Sequence, residues 1–361
     1  MKKIFLAAAV MAATSLWAGV SLDQKIGQML MIGFHGTSAP QNSQICKDIG
    51  KYHIGAVILF DYNPVDKSKA KNIASKQQLS RLTAELQKCS YDRKLLIAVD
   101  QEGGKVQRLK SRYGFYGHFP KASEVKYLHQ KQIKKTYVKM AKELKSVGIN
   151  FDLAPVVDLD INPKNHVIHG LGRSFGKNPK KVAAYAGTFI DAMHQYGVLT
   201  SLKHFPGHGS SMGDTHKGFV DVTHLWKRSE LEPYRLLNKK ADTVMVAHVF
   251  NKRLDPKYPA SLSEKTVDGL LRKQLGFHGV VITDDMQMGA ISKKYSLKQR
   301  LKLAVNAGDD MLIFGNQLDP RHTVSSAILV ETVKSLVENG EIRERRIDNA
   351  YRRIQKLKNK L

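Results

Sequence analysis

The 361-residue sequence predicts an α/β fold, a single (β/α)8 TIM-type barrel with extra C-terminal helices. Three observations lead there. Eight short apolar runs alternate with amphipathic segments of helical period, the mark of parallel βαβ units, and the count of eight points to closure. No Gly-x-Gly-x-x-Gly follows the first run, which argues against an open dinucleotide-binding sheet. No repeat, low-complexity tract or Pro/Ser-rich linker divides the chain, so one large domain accounts for its length.

Taken in order, residues 29–34 (MLMIGF) form the first expected strand, and a helix near 43–51 leads to the second at 56–60 (AVILF). A helix over 68–88 precedes the third strand, 95–99 (LLIAV), which ends at Asp100. In the segment 131–147, Ile133, Tyr137, Met140 and Leu144 fall on one helical stripe and leave the lysines outside; Gly148 stops the helix. A short fourth strand at 150–153 enters a long loop, and the helix at 179–196 returns to the fifth strand at 198–203. Helices at 229–240 and 263–275, the latter with Ser263 as its N-cap, flank the sixth strand at 243–247. The seventh strand, 280–283, ends in Asp284-Asp285; a helix from Leu297 and the eighth strand at 311–314 complete the alternation. Helices at 323–339 and 342–358 close the chain.

Residues 1–18 have the layout of an export signal: Lys2-Lys3, an apolar run over 4–13, and Leu16-Trp17-Ala18 as a cleavage site. The run falls short of the ~20 residues a spanning helix needs, so the expected product is 19–361 released into a bacterial periplasm or beyond, with no membrane span and no lipid-bearing Cys. The formal charge of +26 becomes 26 − 2 = +24 once Lys2 and Lys3 are removed. So basic a chain is drawn to polyanions, and for an exported protein these are anionic envelope polymers rather than nucleic acid. Solvated helix faces such as 131–145 account for many of the charges. Cys46 and Cys89 are too few for a disulfide framework, and they pair only if the fold brings their helices within reach. A monomer is expected.

The candidate chemistry gathers around KHFPGHGSSMGDTH, residues 203–216, just after the fifth strand. Polar residues also stand at other strand ends: Asp100, Asp152, His248 and Asp284-Asp285. In a barrel these ends converge on one face, so residues distant in sequence share a site. Asp214 and His216 are two apart, so in an extended segment both point the same way, and an Asp–His hydrogen bond lets the imidazole act as acid and then base. Asp284 ends an apolar strand and is a candidate nucleophile; Asp285 should face away, though spacing alone does not choose between them. His204, His208, Asp214 and His216 also offer metal-ligand chemistry, but neither HExxH nor H-x-H is present.

KHFPGHG followed by Asp-Thr-His, VDQEGGKVQRL at Asp100, GRSFG at Arg173, MVAHV at His248 and GVVITDDMQMGAI around Asp284 together resemble the β-N-acetylglucosaminidases of glycoside hydrolase family 3. The similarity runs in order from about Ser21 to Phe314, and it implies that 19–361 is a catalytic (β/α)8 domain working by retaining double displacement, with no metal or organic cofactor. It implies Asp284 as nucleophile, His216 as general acid/base and Asp214 as its partner. It also implies that Asp100, Arg108, Arg173, Lys203 and His204 hold the hydroxyls of a terminal N-acetylglucosamine. A mobile loop is expected to carry His216 and to close over substrate. Oligosaccharides or muropeptides ending in β-linked N-acetylglucosamine are the implied substrates. The alternatives are a β-glucosidase, a β-N-acetylglucosaminide phosphorylase, or a non-catalytic wall-glycan binder. Intact Asp214, His216 and Asp284 argue against the last.

Overall fold

The computed structural model describes residues 19–318 and 322–361, so the expected export segment at 1–18 lies outside the described residues. Eight parallel strands close into a barrel in sequence order. They are β1 (Leu30–Gly33), β2 (Ala56–Ile58), β3 (Leu96–Val99), β4 (Phe151–Asp152), β5 (Leu199–Phe205), β6 (Thr243–Val246), β7 (Val280–Asp285) and β8 (Met311–Phe314). Pairing of β1 with β8, Leu30 opposite Leu312, completes the ring. Seven of the strands are buried along their whole length, and β7 is buried up to its tip. Such strands must be apolar on both faces, because one face fills the barrel and the other meets the helices.

The helices are α1 (Leu22–Gln28), α2 (Gln44–Tyr52), α3 (Lys76–Cys89), α4 (Gln130–Ser146), α5 (Pro179–His194), α6 (Glu232–Leu237), α7 (Lys265–Gln274), α8 (Leu297–Ala307), α9 (Ser326–Glu338) and α10 (Glu344–Lys358). Ser43, Ser75, Asn178, Ser296 and Ser325 cap five of them, each side chain accepting a first-turn N–H. The stripe read from the sequence is the buried face of α4: Ile133, Tyr137, Met140 and Leu144.

Four segments depart from expectation. The helix expected over 68–88 starts only at Lys76, because the preceding residues are recruited to the top of the barrel. There Lys71 Nζ donates to the carbonyls of Gly315 (3.0 Å) and Asn316 (2.8 Å), and Asn72 Nδ2 donates to those of Phe34 and Gly36. The helix expected over 229–240 shortens to α6, with Pro233 in its first turn after a tight turn at Arg228–Leu231. Strands β5 and β7 each run two residues beyond their expected ends, so His204 and both aspartates of 284–285 belong to strand tips.

Cys46 and Cys89 form a disulfide between the end of α3 and the first turn of α2, with Cα atoms 5.1 Å apart. No described helix is long and apolar enough to cross a membrane. The disulfide closes a loop of sequence separation 43, so reducing it, or replacing both cysteines by serine, should lower the unfolding free energy by about 2–4 kcal/mol. Urea titration with and without reductant measures this, and an unchanged midpoint contradicts it.

Candidate active site

The C-terminal ends of the strands surround a cavity of about 640 Å³, lined by Asp100, Arg108, Arg173, Lys203, His204, Asp214, His216 and Asp284 among others. All eight residues singled out from the sequence therefore meet at one place. Glu102, which the sequence reading did not single out, lines it as well, and so does Asp285.

Its floor is an ion network. Lys203 Nζ, on a residue only 2 % exposed, donates to Asp100 Oδ1 (2.9 Å) and to Glu102 Oε1 (2.7 Å). Arg108 Nη2 reaches the other oxygen of Asp100 at 2.9 Å. Arg173 grips Glu102 with two parallel bonds, Nε to Oε2 (2.8 Å) and Nη2 to Oε1 (2.7 Å), the geometry that suits a guanidinium to a carboxylate. Burial works against ionising these acids, but Lys203 and Arg108 hold Asp100 well below the usual carboxylate range. Arg173 and Lys203 likewise bring Glu102 down to about 2.

The network continues into histidine. Arg173 Nη2 lies 3.3 Å from His204 Nε2, and His204 Nδ1 lies 2.7 Å from Asp158 Oδ2. A guanidinium can only donate, so Nε2 is the acceptor and the ring proton sits on Nδ1, facing Asp158. Asp158 also accepts the backbone N–H of His208 at 2.7 Å. Although buried, its carboxyl is held below the ordinary range, first by His204. Asp158 and Glu102 are members of this network that the sequence reading missed. Glu102 stood inside the quoted VDQEGGKVQRL; Asp158 lay in an irregular loop whose pairing no periodicity reveals.

The tip of β7 corrects one expectation. Asp285 was to face away from Asp284, yet both line the cavity. The pairing of β7 with β8 shifts register between Ile282 and Asp285, and such an irregularity breaks strict alternation. The two carboxyls are nevertheless distinct. Asp285 accepts the backbone N–H of Gln287, and burial pushes its carboxyl up to about 6. Burial also opposes the charge on Asp284, but His204, His248 and His216 around it outweigh that and hold it below the ordinary range. Asp284 Oδ1 accepts the N–H of Asp285 at 2.8 Å, and among the described residues its Oδ2 has no hydrogen-bond partner. Of the two carboxyls it is thus the one that stays ionised to lower pH.

His216 Nδ1 and Asp214 Oδ1 are 2.8 Å apart, which leaves Nε2 for the cavity. The pair is brought together by a turn rather than by an extended segment, because His216 N donates to the same Asp214 oxygen at 3.0 Å. The loop expected to be mobile is docked here. Ala290 N donates to Thr215 O (3.0 Å), Gly289 N to His216 O (3.2 Å) and Lys293 Nζ to Lys217 O (2.9 Å). A Cβ at position 289 would stand 2.9 Å from that His216 carbonyl, so the docking requires glycine.

Two other histidines and an aspartate serve elsewhere. His208, weighed as a metal ligand, is buried under the loop with Nδ1 2.8 Å from Ser211 Oγ and Nε2 3.3 Å from Thr215 Oγ. Among the described residues, no group of three or more His, Cys, Asp or Glu side chains converges as a metal site. His248 Nε2 meets the carbonyl of Asp285 at 2.9 Å and Nδ1 meets Ser261 Oγ at 2.6 Å, so it braces the strand tip from behind. Asp152 lies fully buried beneath the site, where it accepts the N–H of Gln101 at 2.9 Å.

The family model for the glycosyl hydrolase family 3 N terminal domain matches residues 21–357. The chain is 30% identical to beta-hexosaminidase A of Pseudoalteromonas piscicida over 391 residues, covering 97% of this chain and 63% of that protein. It superposes on a glycoside hydrolase family 3 beta-N-acetylglucosaminidase from Paenibacillus sp. str. FPU-7 with a TM-score of 0.83 and 33% identity, over 95% of this chain and 63% of that one. A beta-N-acetylhexosaminidase from Beutenbergia cavernae DSM 12333 gives a TM-score of 0.83 and 29% identity, over 95% of this chain and 99% of that one. The chain thus spans less than two thirds of the first two relatives and nearly all of the third.

The ion network sets an acid limit. A carboxylate whose pKa is depressed on folding contributes stability above its unfolded value, and loses it as the pH falls through the folded one. Glu102, lowered from 4.5 to about 2, should contribute fully above about pH 5 and progressively less as the pH drops toward 2. Glu102→Gln should cost about 3–5 kcal/mol at pH 7, since it leaves buried Arg173 without its carboxylate and Lys203 with Asp100 alone. Urea midpoints from pH 7 to 3 should show the difference between wild type and variant shrinking toward low pH; a constant difference contradicts the assignment.

Proposed function

Because the chain belongs to glycosyl hydrolase family 3, we propose that it is a retaining exo-β-N-acetylglucosaminidase that removes terminal β-linked N-acetylglucosamine from cell-wall-derived or chitin-type glycans. The observation that carries this reading is the shared cavity of Asp284 and the Asp214–His216 pair. One group is an ionised carboxylate, the other an oriented imidazole.

In the first step Asp284 attacks the anomeric carbon as the glycosidic C–O bond breaks, and Nε2–H of protonated His216 gives its proton to the leaving oxygen. Asp214 accepts from Nδ1 and stabilises the imidazolium, the task of the carboxylate in an Asp–His pair. Charge developing on the ring is met by Asp284 until the covalent glycosyl-enzyme forms. In the second step water gives a proton to Nε2 and attacks the same carbon from the leaving-group side. The bond to Asp284 breaks and the sugar departs with its configuration kept. Asp100, Arg108, Arg173, Lys203 and His204 fix the sugar hydroxyls, as charge-assisted partners whose positions are set by their mutual ion pairs.

Phosphate in place of water would make the same site a phosphorylase, because a histidine base carries no anion to repel it. Turnover with and without phosphate separates the two, and paired nitrophenyl N-acetylglucosaminide and glucoside separate this reading from a β-glucosidase. We propose further that residues 1–18 direct export to the periplasm or the medium. The Cys46–Cys89 bond supports this, since such bonds persist in oxidising compartments. Cell fractionation with N-terminal sequencing tests it; an intact Met1 in the cytoplasm contradicts it.

His216→Ala should lower kcat on nitrophenyl N-acetylglucosaminide about 10²–10⁴-fold, with a smaller loss when the leaving group is dinitrophenol, which needs no acid. Asp284→Asn should lose activity on both substrates and should trap no glycosyl-enzyme with a fluorosugar. Full activity in either variant removes the assignment. His208→Ala should cut kcat more than it raises KM, because it releases Ser211 and Thr215 and with them the loop that carries His216; an unchanged kcat contradicts that role.

A further inference from the structure

The outer wall of the barrel carries a cationic stripe that the proposed chemistry does not use. Helix α4 holds six lysines, Lys131, Lys134, Lys135, Lys139, Lys142 and Lys145, all exposed. At 100° per residue they fall within an arc of about 140° and extend about 21 Å along the axis. They lie opposite the buried stripe of Ile133, Tyr137, Met140 and Leu144. Like charges three and four residues apart repel and destabilise a helix.

No salt bridge among the described residues offsets that repulsion. The single acid on α4, Glu143, is half-buried and accepts the N–H of Tyr116 at 2.9 Å. Among the described residues none of the six lysines forms a salt bridge. By contrast the exposed Lys240 and Lys298 and the half-buried Lys302 and Lys334 each have an acidic partner. Aromatic rings flank the stripe instead. Lys139 Nζ sits 3.0 Å from the centroid of Tyr116, and Lys126, just ahead of the helix, sits over Tyr127, which is 78 % exposed. Lysines beside open tyrosine rings suit a partner with anionic groups and flat apolar sugar faces. A lipid surface would favour apolar side chains that insert, and α4 turns all of its large apolar ones inward.

The topology places the stripe usefully. The chain leaves β3 on the face that bears the cavity, and α4 runs back from that face, so the Lys131 end is nearest the cavity rim. We infer that α4 is a docking rail for an acidic glycan, a carboxylate-bearing polysaccharide held along the barrel wall while its end occupies the cavity. This rests on the proposed hydrolase reading only in taking the polymer to be a glycan, and the two fail separately.

The test compares the full chain with K131E/K134E/K135E/K142E, and with the same four positions changed to glutamine. Co-sedimentation uses insoluble peptidoglycan, whose peptides and lactyl groups carry carboxylates, with chitin as the neutral control. Wild type should sediment with peptidoglycan in low salt and be released as ionic strength rises. The glutamate variant should bind roughly tenfold more weakly or worse, and the glutamine variant should fall between. Turnover of soluble nitrophenyl N-acetylglucosaminide should stay within about twofold of wild type in both variants, as the lysines lie off the site. Equal sedimentation of all three proteins overturns the rail. So does a loss seen only against phosphatidylglycerol vesicles or only against DNA. Absence of soluble turnover in wild type would overturn the hydrolase reading instead, and the sedimentation result would still decide the rail.

Discussion

The site depends on one buried cation. Lys203 Nζ lies between Asp100 and Glu102, with Arg108 on the far side of one carboxylate and Arg173 on the far side of the other. These groups come from β5, the tip of β3, the loop after it and the loop after β4. Each charge is tolerable away from water only because its neighbours are present, so the network ties three separate connections into one floor. Five alternating charges, each held by its neighbours, also leave little freedom to any one of them.

Above that floor the dyad is held by a different device. Asp158 joins the two levels, accepting from His204 on one side and from the backbone of His208 on the other. Asn165 Nδ2 donates to the carbonyls of His208 and Gly209, and His208 reaches Ser211 and Thr215. Burial first, then the neighbouring His204, brings the His208 imidazole down to about 4, so it stays neutral at physiological pH. A neutral ring offers one donor and one acceptor, as bridging two hydroxyls requires. The loop is therefore fixed by polar contacts from beneath and by the 289–293 segment from the side, with His216 lining the cavity.

The charge of the chain divides between these interior networks and the outer wall. Inside, cations are matched to carboxylates with short bonds. Outside, α4 holds its lysines unmatched. Sequence composition counts both kinds of charge alike, whereas their energetics are opposite: the inner set stabilises the fold, and the outer set opposes it unless a counter-charge arrives.

The alternation of apolar runs and amphipathic helices was enough to determine eight strands, their order and their convergence on one face, because strand period, helix period and βαβ handedness are local rules. The motif residues Asp100, Lys203, Asp214, His216 and Asp284 were legible for a related reason: each sits at or near a strand end, and a barrel brings strand ends together. Other features required three dimensions. That Asp285 lines the cavity beside Asp284 goes with a register shift between β7 and β8, and the opposite pKa shifts of the two carboxyls come from burial and from the histidines around Asp284. Glu102, Asp158 and Asn165 became visible only through their partners, which lie tens of residues away in the chain. Whether Cys46 could reach Cys89 was likewise a matter of how α2 packs on α3. Periodicity is a property of neighbours in the chain, while a hydrogen bond, an ion pair and a pKa are properties of neighbours in space.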